Sequence, residues 1–185
     1  MLRYELPGGC YLRLFEESDA EELDGVIAAN RAYLAQWLPW AQETSGAEAR
    51  LDFIRSTRRQ IADNNGFQAA IVEDGSIIGA VGLGGVDWNH RSTSIGYWLA
   101  EDRQGRGTMT AAVRALTTYA FEFWRLDRVE IRVAVGNLRS AAIPQRLGFV
   151  EEGVLRQAER HGDSFKDIVV YSMLAGDWRE GRKQS

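Results

Sequence analysis

Apolar and polar positions recur with two different periods in the first third of the chain. Residues 11–15 follow the two-residue period of a strand and predict a short strand. The run Ser18–Glu21 has the form of a capping box, a hydroxyl followed three residues later by a carboxylate, and predicts that a helix starts there. A second helix is expected over Glu48–Asp63, where apolar residues recur at helical spacing among many charges.

The middle of the chain returns to the period of strands. Segments 67–72 and 76–86 flank Asp74-Gly75, a dipeptide typical of two-residue hairpin turns, and therefore predict an antiparallel pair. Residues 93–99 are a further strand candidate with Gly96 inside it. A glycine within a strand often marks a bulge or a close approach of another backbone.

Helical and strand spacing alternate in the remainder. The pattern predicts a helix at 109–124, a strand at 129–135, a short helix at 138–147 and strands at 149–155 and 168–174. Strand, helix, strand, helix, strand is typical of an α/β sheet with a parallel component. Because antiparallel strands precede this part, the sheet is expected to be mixed.

One domain is expected over residues 1–185. The sequence has no internal repeat and no linker-like tract, and 185 residues fall in the size range of one compact domain. We expect the core at about residues 10–175 and a C-terminal tail at 176–185.

Composition excludes several classes of protein. A hydrophobic fraction of 45% and a charged fraction of 26% are those of a globular protein rather than a disordered or fibrous one. A net charge of −4 disfavours a nucleic-acid partner. No apolar run could span a bilayer and no leader pattern is visible, so we expect a cytoplasmic protein without a membrane partner. Cys10 is the only cysteine, and His90 and His161 are far apart, so no metal is expected.

The glycine-rich segment Arg103–Thr108 carries the most informative chemistry. Gly105 and Gly107 let the backbone turn its N–H groups toward one point, and the helix that follows adds the partial positive charge of its N-terminus. Such a turn can hold a pyrophosphate. The segment lacks the Gly-Lys-Ser/Thr of a P-loop and the glycine spacing of a dinucleotide fold, so a purely structural turn is the competing interpretation.

The hexapeptide Gln104–Met109 resembles the Gln/Arg-x-x-Gly-x-Gly/Ala signature of the GNAT superfamily of acetyl-CoA-dependent N-acyltransferases, with a methionine at the last small position. The resemblance spans nearly the whole chain. It continues in order through 95–99, 136–140, 147–149, 157–159 and Tyr171. Together these elements resemble the branch of the superfamily that acetylates the N-terminal serine or alanine of ribosomal proteins.

The resemblance implies a single-domain GNAT fold, a mixed and mostly antiparallel sheet flanked by helices. In this fold the parallel neighbours 94–99 and 129–135 splay apart and admit the pantetheine arm of acetyl-CoA, and the N–H of Leu99 faces the thioester oxygen. Asn137 would contact the pantetheine while capping the following helix. The residues implied at the acetyl-CoA site are Trp98, Leu99, Gln104, Gly105, Arg106, Gly107, Thr108, Met109, Asn137 and Ser140.

Acetyl transfer to an amine needs a group that takes the amine proton and a donor for the departing thiolate. By resemblance, Glu159 stands where this branch has its base and Ser140 where it has a serine near the sulfur. The superfamily often has a tyrosine acid where this chain has Pro144, and this departure shifts the role of acid to Ser140. A solvated ion pair for Glu159, a capping role for Ser140, and His161 as the base stay open.

The aromatic residues Trp37, Trp40 and Tyr97 are expected to contact the acceptor, although large aromatic side chains most often lie in cores. The first hypothesis is an enzyme that acetylates the N-terminal α-amino group of a ribosomal protein or peptide. The second is the same chemistry on a small amine, such as an aminoacyl compound, an antibiotic or a polyamine. The third is a non-catalytic acyl-CoA-binding module. A homodimer is left open.

Overall fold

A computed structural model describes residues 3–183 of the chain. Within this range the elements occur in the order β1 (Tyr4–Glu5), β2 (Cys10–Leu14), α1 (Ala20–Ala29), α2 (Arg31–Leu34), α3 (Ala47–Ala62), β3 (Gly66–Glu73), β4 (Ser76–Asp87), β5 (Ser92–Leu99), α4 (Thr108–Glu122), β6 (Arg128–Ala134), α5 (Leu138–Arg146), β7 (Val150–His161), β8 (Ser164–Leu174) and α6 (Ala175–Lys183). The strands of this range form one eight-stranded sheet in the order β1-β2-β3-β4-β5-β6-β8-β7.

Strand directions confirm the predicted mixed, mostly antiparallel sheet. Neighbours are antiparallel except β5 and β6, which run parallel. The predicted hairpin forms between β3 and β4. Asp74 and Gly75 have φ of 50° and 82°. Both are left-handed, as a two-residue turn with the twist of the flanking strands requires, and Asp-Gly tolerates this conformation.

Helices cover both faces of the sheet, so the central strand β3 is apolar on both sides. Ala69 and Ile71 belong to the core that β3 shares with α4, where Val113 is fully buried. Ala70 and Val72 belong to the opposite core, which includes residues of α1 and α3. The alternation follows the two-residue period of a strand and explains why β3 reads as a continuous apolar run.

The start of α1 differs from the predicted capping box at Ser18 and Glu21. A 3₁₀ turn precedes the helix, and the reciprocal capping pair is formed by Glu16 and Asp19, with the Glu16 N–H donating to Asp19 Oδ2 at 2.8 Å. The guanidinium of Arg13 holds both carboxylate oxygens of Asp19 at 2.6 and 2.8 Å. This two-point ion pair holds Asp19 in the capping pair, which lies two residues earlier than the local pattern indicates.

The parallel pair of strands separates, as the resemblance implies. The ladder between β5 and β6 consists of Ser92↔Arg128, Thr93↔Val129 and Ser94↔Glu130. Beyond these pairs the two strands diverge, although β5 continues to Leu99 and β6 to Ala134. The predicted fold class, with its splayed strand pair, is therefore confirmed.

The end of the chain is more regular than predicted. Strand β7 does not end at Leu155 but continues to His161 and forms a hairpin with β8. Residues 156–160 are polar or small and mostly exposed, so no apolar alternation marks this part of the strand.

In the segment predicted as a C-terminal tail, 176–185, the described residues up to Lys183 belong to helix α6. Residues 184 and 185 lie outside the described range. Trp178 is buried, its ring centroid lies 6.4 Å from that of Phe121, and its Nε1 donates to Thr118 Oγ1 at 3.3 Å. Trp178 is the large apolar residue of this helix, and its neighbours are polar or small. The segment therefore lacks the repeated apolar positions from which a helix is predicted.

Replacing Trp178 with alanine tests this anchor. Because the substitution empties a buried aromatic site, we expect the free energy of unfolding in urea to fall by about 3 kcal/mol. The exposed neighbour Arg179→Ala is the control and should leave it unchanged within about 0.5 kcal/mol. Equal effects of the two substitutions would show that α6 does not pack on α4.

Candidate active site

A cavity of about 910 Å³ opens where β5 and β6 separate. Its walls are the ends of both strands, the turn that precedes α4, the first half of α4, helix α5, the end of α2 and the residues that follow α2. Glu159 of the β7–β8 hairpin also lines it. Segments that are far apart in the sequence therefore meet at the break in the sheet.

Backbone groups of both strands face this opening. The N–H of Ala100 donates to the Ile78 carbonyl on β4 at 2.8 Å. Successive residues of a strand direct their N–H groups to opposite sides, so the N–H of Leu99 faces the opening. On β6, the Val135 N–H donates to the Asp167 carbonyl, which leaves the N–H of Ala134 directed toward β5.

The turn before α4 concentrates backbone amides. Gly105 and Gly107 have φ of 79° and 82°, a conformation that side-chain-bearing residues rarely adopt. The backbone bond at the start of α4 runs from the Ala111 N–H to the Gly107 carbonyl. The N–H groups of the first helical turn consequently point out of the end of a 15-residue helix, where the helix dipole favours an anion.

The cavity is basic although the chain as a whole is acidic. In the described range its charged lining residues are the five arginines Arg106, Arg114, Arg132, Arg139 and Arg146 against the glutamates Glu101 and Glu159. Arg103 does not line the cavity; it donates to Glu73 Oε2 at 2.5 Å. Glu73 also lies 3.6 Å from Arg106. This excess of positive charge suits a polyphosphate ligand.

Gln104 is the first residue of the turn before α4, residues 104–109, which we call the amide turn. Its side chain connects this turn to other elements of the cavity wall. Its Oε1 accepts hydrogen bonds from the Tyr33 hydroxyl at 3.3 Å and from Arg139 at 3.0 Å. Its Nε2 donates to the Leu99 carbonyl at 3.3 Å. The side chain thus fixes the end of β5 relative to α5 and to α2.

Ser140 is held on the first turn of α5. Its N–H donates to Asn137 Oδ1 at 3.2 Å, the side-chain cap expected for an asparagine at this position. Its hydroxyl lies 3.2 Å from the Tyr97 hydroxyl, which in turn donates to the Ser140 carbonyl at 3.1 Å. Burial raises the pKa of Tyr97 to about 12, so this hydroxyl is neutral and remains a donor at physiological pH.

Glu159 reaches the cavity through a bulge in β7. The register between β7 and β8 shifts between Leu155 and Glu159, and Gln157 in this stretch has φ of 51°. The N–H of Gln157 donates to Asp167 Oδ1 at 2.7 Å, so a side chain on the partner strand holds the bulge. His161, two residues further on, is buried and outside the cavity lining, with Nε2 2.9 Å from Glu159 Oε1.

The three aromatic residues predicted at the acceptor side differ in position. Trp37 and Tyr97 line the cavity, and the Lys166 ammonium lies 4.6 Å from the Trp37 ring centroid while it also donates to the Gln36 carbonyl. Trp40 is outside the lining; its ring packs edge to face on Trp98, with centroids 6.2 Å apart. The other predicted site residues all line the cavity.

Sequence reasoning missed several cavity residues: Tyr33, Arg114, Arg132 and Arg146. Helical spacing could have indicated Arg114. It follows Thr110 by four residues at the start of α4, so the two share a helix face beside the amide turn. Tyr33 and Arg132 come from separate elements whose approach no local pattern reveals.

Two further properties concern residues 3–183 alone. None of the helices described there is long and apolar enough to cross a membrane. No group of three or more His, Cys, Asp or Glu side chains in that range could hold a metal ion.

Comparison with known proteins identifies the family. A family model described as the acetyltransferase (GNAT) domain matches residues 10–150. The chain therefore belongs to the GNAT acetyltransferase family, which confirms the predicted family and enzyme class. A Bacillus subtilis (strain 168) protein named "Putative ribosomal N-acetyltransferase YdaF" is 44% identical over 173 residues, which cover 93% of this chain and 94% of the relative.

Other relatives carry related names. The Escherichia coli (strain K12) ribosomal-protein-serine acetyltransferase is 28% identical over 170 residues, covering 88% of this chain and 91% of the relative. The solved structure of the ribosomal L7/L12 alpha-N-protein acetyltransferase RimL in complex with coenzyme A superimposes with a TM-score of 0.89 at 25% identity, covering 95% of this chain and 99% of that one.

A charge placed in the amide turn tests whether it holds phosphate. Gly107→Glu and Gly107→Gln impose the same backbone strain and nearly the same bulk, but only glutamate repels an anion. We expect Gly107→Glu to weaken coenzyme A binding, measured by calorimetry, about tenfold more than Gly107→Gln does. Equal losses in the two variants would contradict a phosphate site at this turn.

Proposed function

We propose that this protein transfers the acetyl group of acetyl-CoA to the N-terminal α-amino group of a ribosomal protein. The observation that carries the proposal is a single continuous cavity lined both by the amide turn Gln104–Met109 and by the side chains of Ser140 and Glu159. A donor held at the turn would therefore extend toward groups able to move protons. Relatives named for ribosomal-protein acetylation support the choice of acceptor.

The lining residues fit acetyl-CoA. The amides of Gly105 to Met109 would bind the pyrophosphate, and arginines of the cavity would neutralise its charge. The backbone N–H groups of Leu99 and Ala134, which face the opening, would donate to the carbonyl oxygens of the pantetheine arm. Neighbouring structures in complex with coenzyme A and with acetyl-CoA support this assignment.

The chemistry follows from the groups around the cavity. The neutral amine attacks the thioester carbon, a C–N bond forms and the C–S bond breaks. Glu159 takes the amine proton, directly or through one water, and Ser140 gives its hydroxyl proton to the departing sulfur. The N–H of Leu99 stabilises the oxyanion formed between these steps. The Ser140 hydroxyl donates to the neutral Tyr97 hydroxyl, which holds the serine in place, and the serine regains its proton from solvent after the products leave.

The acceptor would enter beside Trp37 and Tyr97. The stacking of Lys166 on Trp37 and its hydrogen bond to Gln36 fix this wall relative to β8. Trp40 stays a predicted substrate residue; its packing on Trp98 supports an action through the shape of the groove. We place the reaction in the cytoplasm, where ribosomal proteins are made.

A small amine is the competing acceptor. The microcin C7 self-immunity acetyltransferase MccE in complex with acetyl-CoA and AMP superimposes with a TM-score of 0.85 at 26% identity. The two alternatives share every proton-transfer residue, so the acceptor itself must be tested. The experiment incubates the protein with acetyl-CoA and peptides that begin with serine or alanine, or with spermidine or an aminoacyl adenylate analogue, and measures thiol release. Release with peptides alone is expected, and release with small amines alone would overturn the ribosomal assignment.

Glu159→Gln removes the base while it preserves the size of the side chain. We expect kcat with the accepted peptide to fall about 100-fold or more, because the amine proton loses its acceptor, while coenzyme A affinity stays within about twofold. The exposed Glu180→Gln on α6 is the control and should keep wild-type rates. A wild-type kcat in Glu159→Gln would remove this carboxylate from the mechanism.

Ser140→Ala removes the proposed donor to the sulfur. We expect kcat to fall about tenfold to 100-fold with an unchanged KM for acetyl-CoA, because the thiolate then leaves without a proton. Ser76→Ala, in the exposed β3–β4 hairpin, is the matched control. Loss of coenzyme A binding without loss of kcat would assign Ser140 to binding instead.

A further inference from the structure

Glu159 and His161 form a side-chain pair at the end of β7 whose two members face different environments. Residues two apart on a strand share a face. Glu159 lines the cavity with 38% of its side chain exposed, whereas 3% of the His161 side chain is exposed. His161 Nε2 lies 2.9 Å from Glu159 Oε1. In the described range, this is the hydrogen bond that holds the Glu159 carboxylate.

The partner of Nε2 sets the tautomer of the imidazole. An ionised carboxylate only accepts hydrogen bonds, so Nε2 carries a proton and donates it to Oε1. Neutral imidazole then has its lone pair on Nδ1. That atom is buried and has no hydrogen-bond partner among residues 3–183. A buried acceptor without a donor destabilises the folded state. The hydrogen bond from Nε2–H to Glu159 is the one polar contact that the ring makes among the described residues.

This geometry bears on the question of which group is the base. The lone pair of His161 is buried and outside the cavity lining, so no amine or bridging water in the cavity can reach it. Glu159 has one oxygen bound by His161 and the other, Oε2, without a hydrogen bond in the described part of the chain. Because Glu159 lines the cavity and His161 does not, Glu159 Oε2 is the atom of this pair that is able to accept the amine proton.

We propose that His161 is a positioning residue for Glu159. Its Nε2–H fixes one carboxylate oxygen and leaves the other aimed into the cavity to take the amine proton. The bulge that Asp167 holds brings the Glu159 backbone to the cavity, and His161 then selects the orientation of the carboxylate. This inference rests on the proposed function, because it assigns His161 a role only where Glu159 is the base.

Kinetics of four variants of the full chain test the role, with acetyl-CoA and the serine-initiated peptide as substrates. His161→Leu removes the donor at similar volume, and His161→Gln keeps an N–H near the position of Nε2. We expect His161→Leu to lower kcat about tenfold or more, with the KM for acetyl-CoA within about twofold, and His161→Gln to recover most of the loss. In a Glu159→Gln background, adding His161→Leu should change kcat by less than about twofold.

The outcomes separate the two proposals. The positioning role of His161 is overturned if His161→Leu keeps the wild-type kcat, or if it lowers kcat equally in the wild-type and Glu159→Gln backgrounds. In either case a low kcat of Glu159→Gln alone still supports Glu159 as the base. A wild-type kcat in Glu159→Gln overturns both.

A measurement on the unmodified protein covers the case in which His161→Leu does not fold or no acceptor is turned over. Nitrogen-15 NMR of the imidazole at neutral pH should report the neutral Nε2–H tautomer for His161, with an unprotonated Nδ1. Protonation at Nδ1 in place of Nε2 would overturn the inference, because the ring could then not donate to Glu159. His90, which is exposed and paired with Asp87, supplies the comparison signal.

Discussion

The ladder between β5 and β6 stops after the pair Ser94↔Glu130, although both strands continue for several residues. Backbone N–H and C=O groups that a closed sheet would pair are therefore left facing a cleft. Such groups need water or a ligand as partner, because an unpaired backbone group is costly once it is buried. A ligand with amides along its length, as in a pantetheine arm, can replace the missing strand contacts on both sides. The rest of the site is arranged around this interruption.

The chain leads from each of these two strand ends into one wall of the cavity. Beyond Leu99 the chain forms the amide turn and α4, whose N-terminus attracts anions. Beyond Ala134 it forms α5, where Asn137 caps the helix and Ser140 lies within reach of Tyr97. The carboxylate comes from neither strand but from the β7–β8 hairpin. An acidic chain thus encloses a basic cavity that Glu159 of this hairpin also lines.

Local signals and family motifs predicted much of this arrangement. The Asp74-Gly75 turn, the alternation of apolar residues in β3, and the glycines of the amide turn each act through neighbouring residues, so a single sequence shows them. The two-point pair of Arg13 with Asp19 and the bulge at Gln157 depend on particular side chains six and ten residues away. The burial of Trp178 depends on a contact with α4, 60 residues away in the sequence. None of these contacts belongs to a periodic pattern. For that reason the start of α1, the helix α6 and the approach of Tyr33 to Gln104 were beyond prediction. The burial of His161, on which its proposed role depends, is likewise not visible in the local pattern.

The most direct measurement of the central claim is a titration of the nitrogen-15-labelled protein with coenzyme A, followed through backbone amide resonances. If the interrupted ladder and the adjoining turn hold the ligand, the largest shifts will belong to the N–H groups of Leu99, Gly105, Gly107 and Met109, and those of the paired strands β2 and β3 will stay in place. Saturating binding that leaves these four amides unchanged and moves another region would contradict the account.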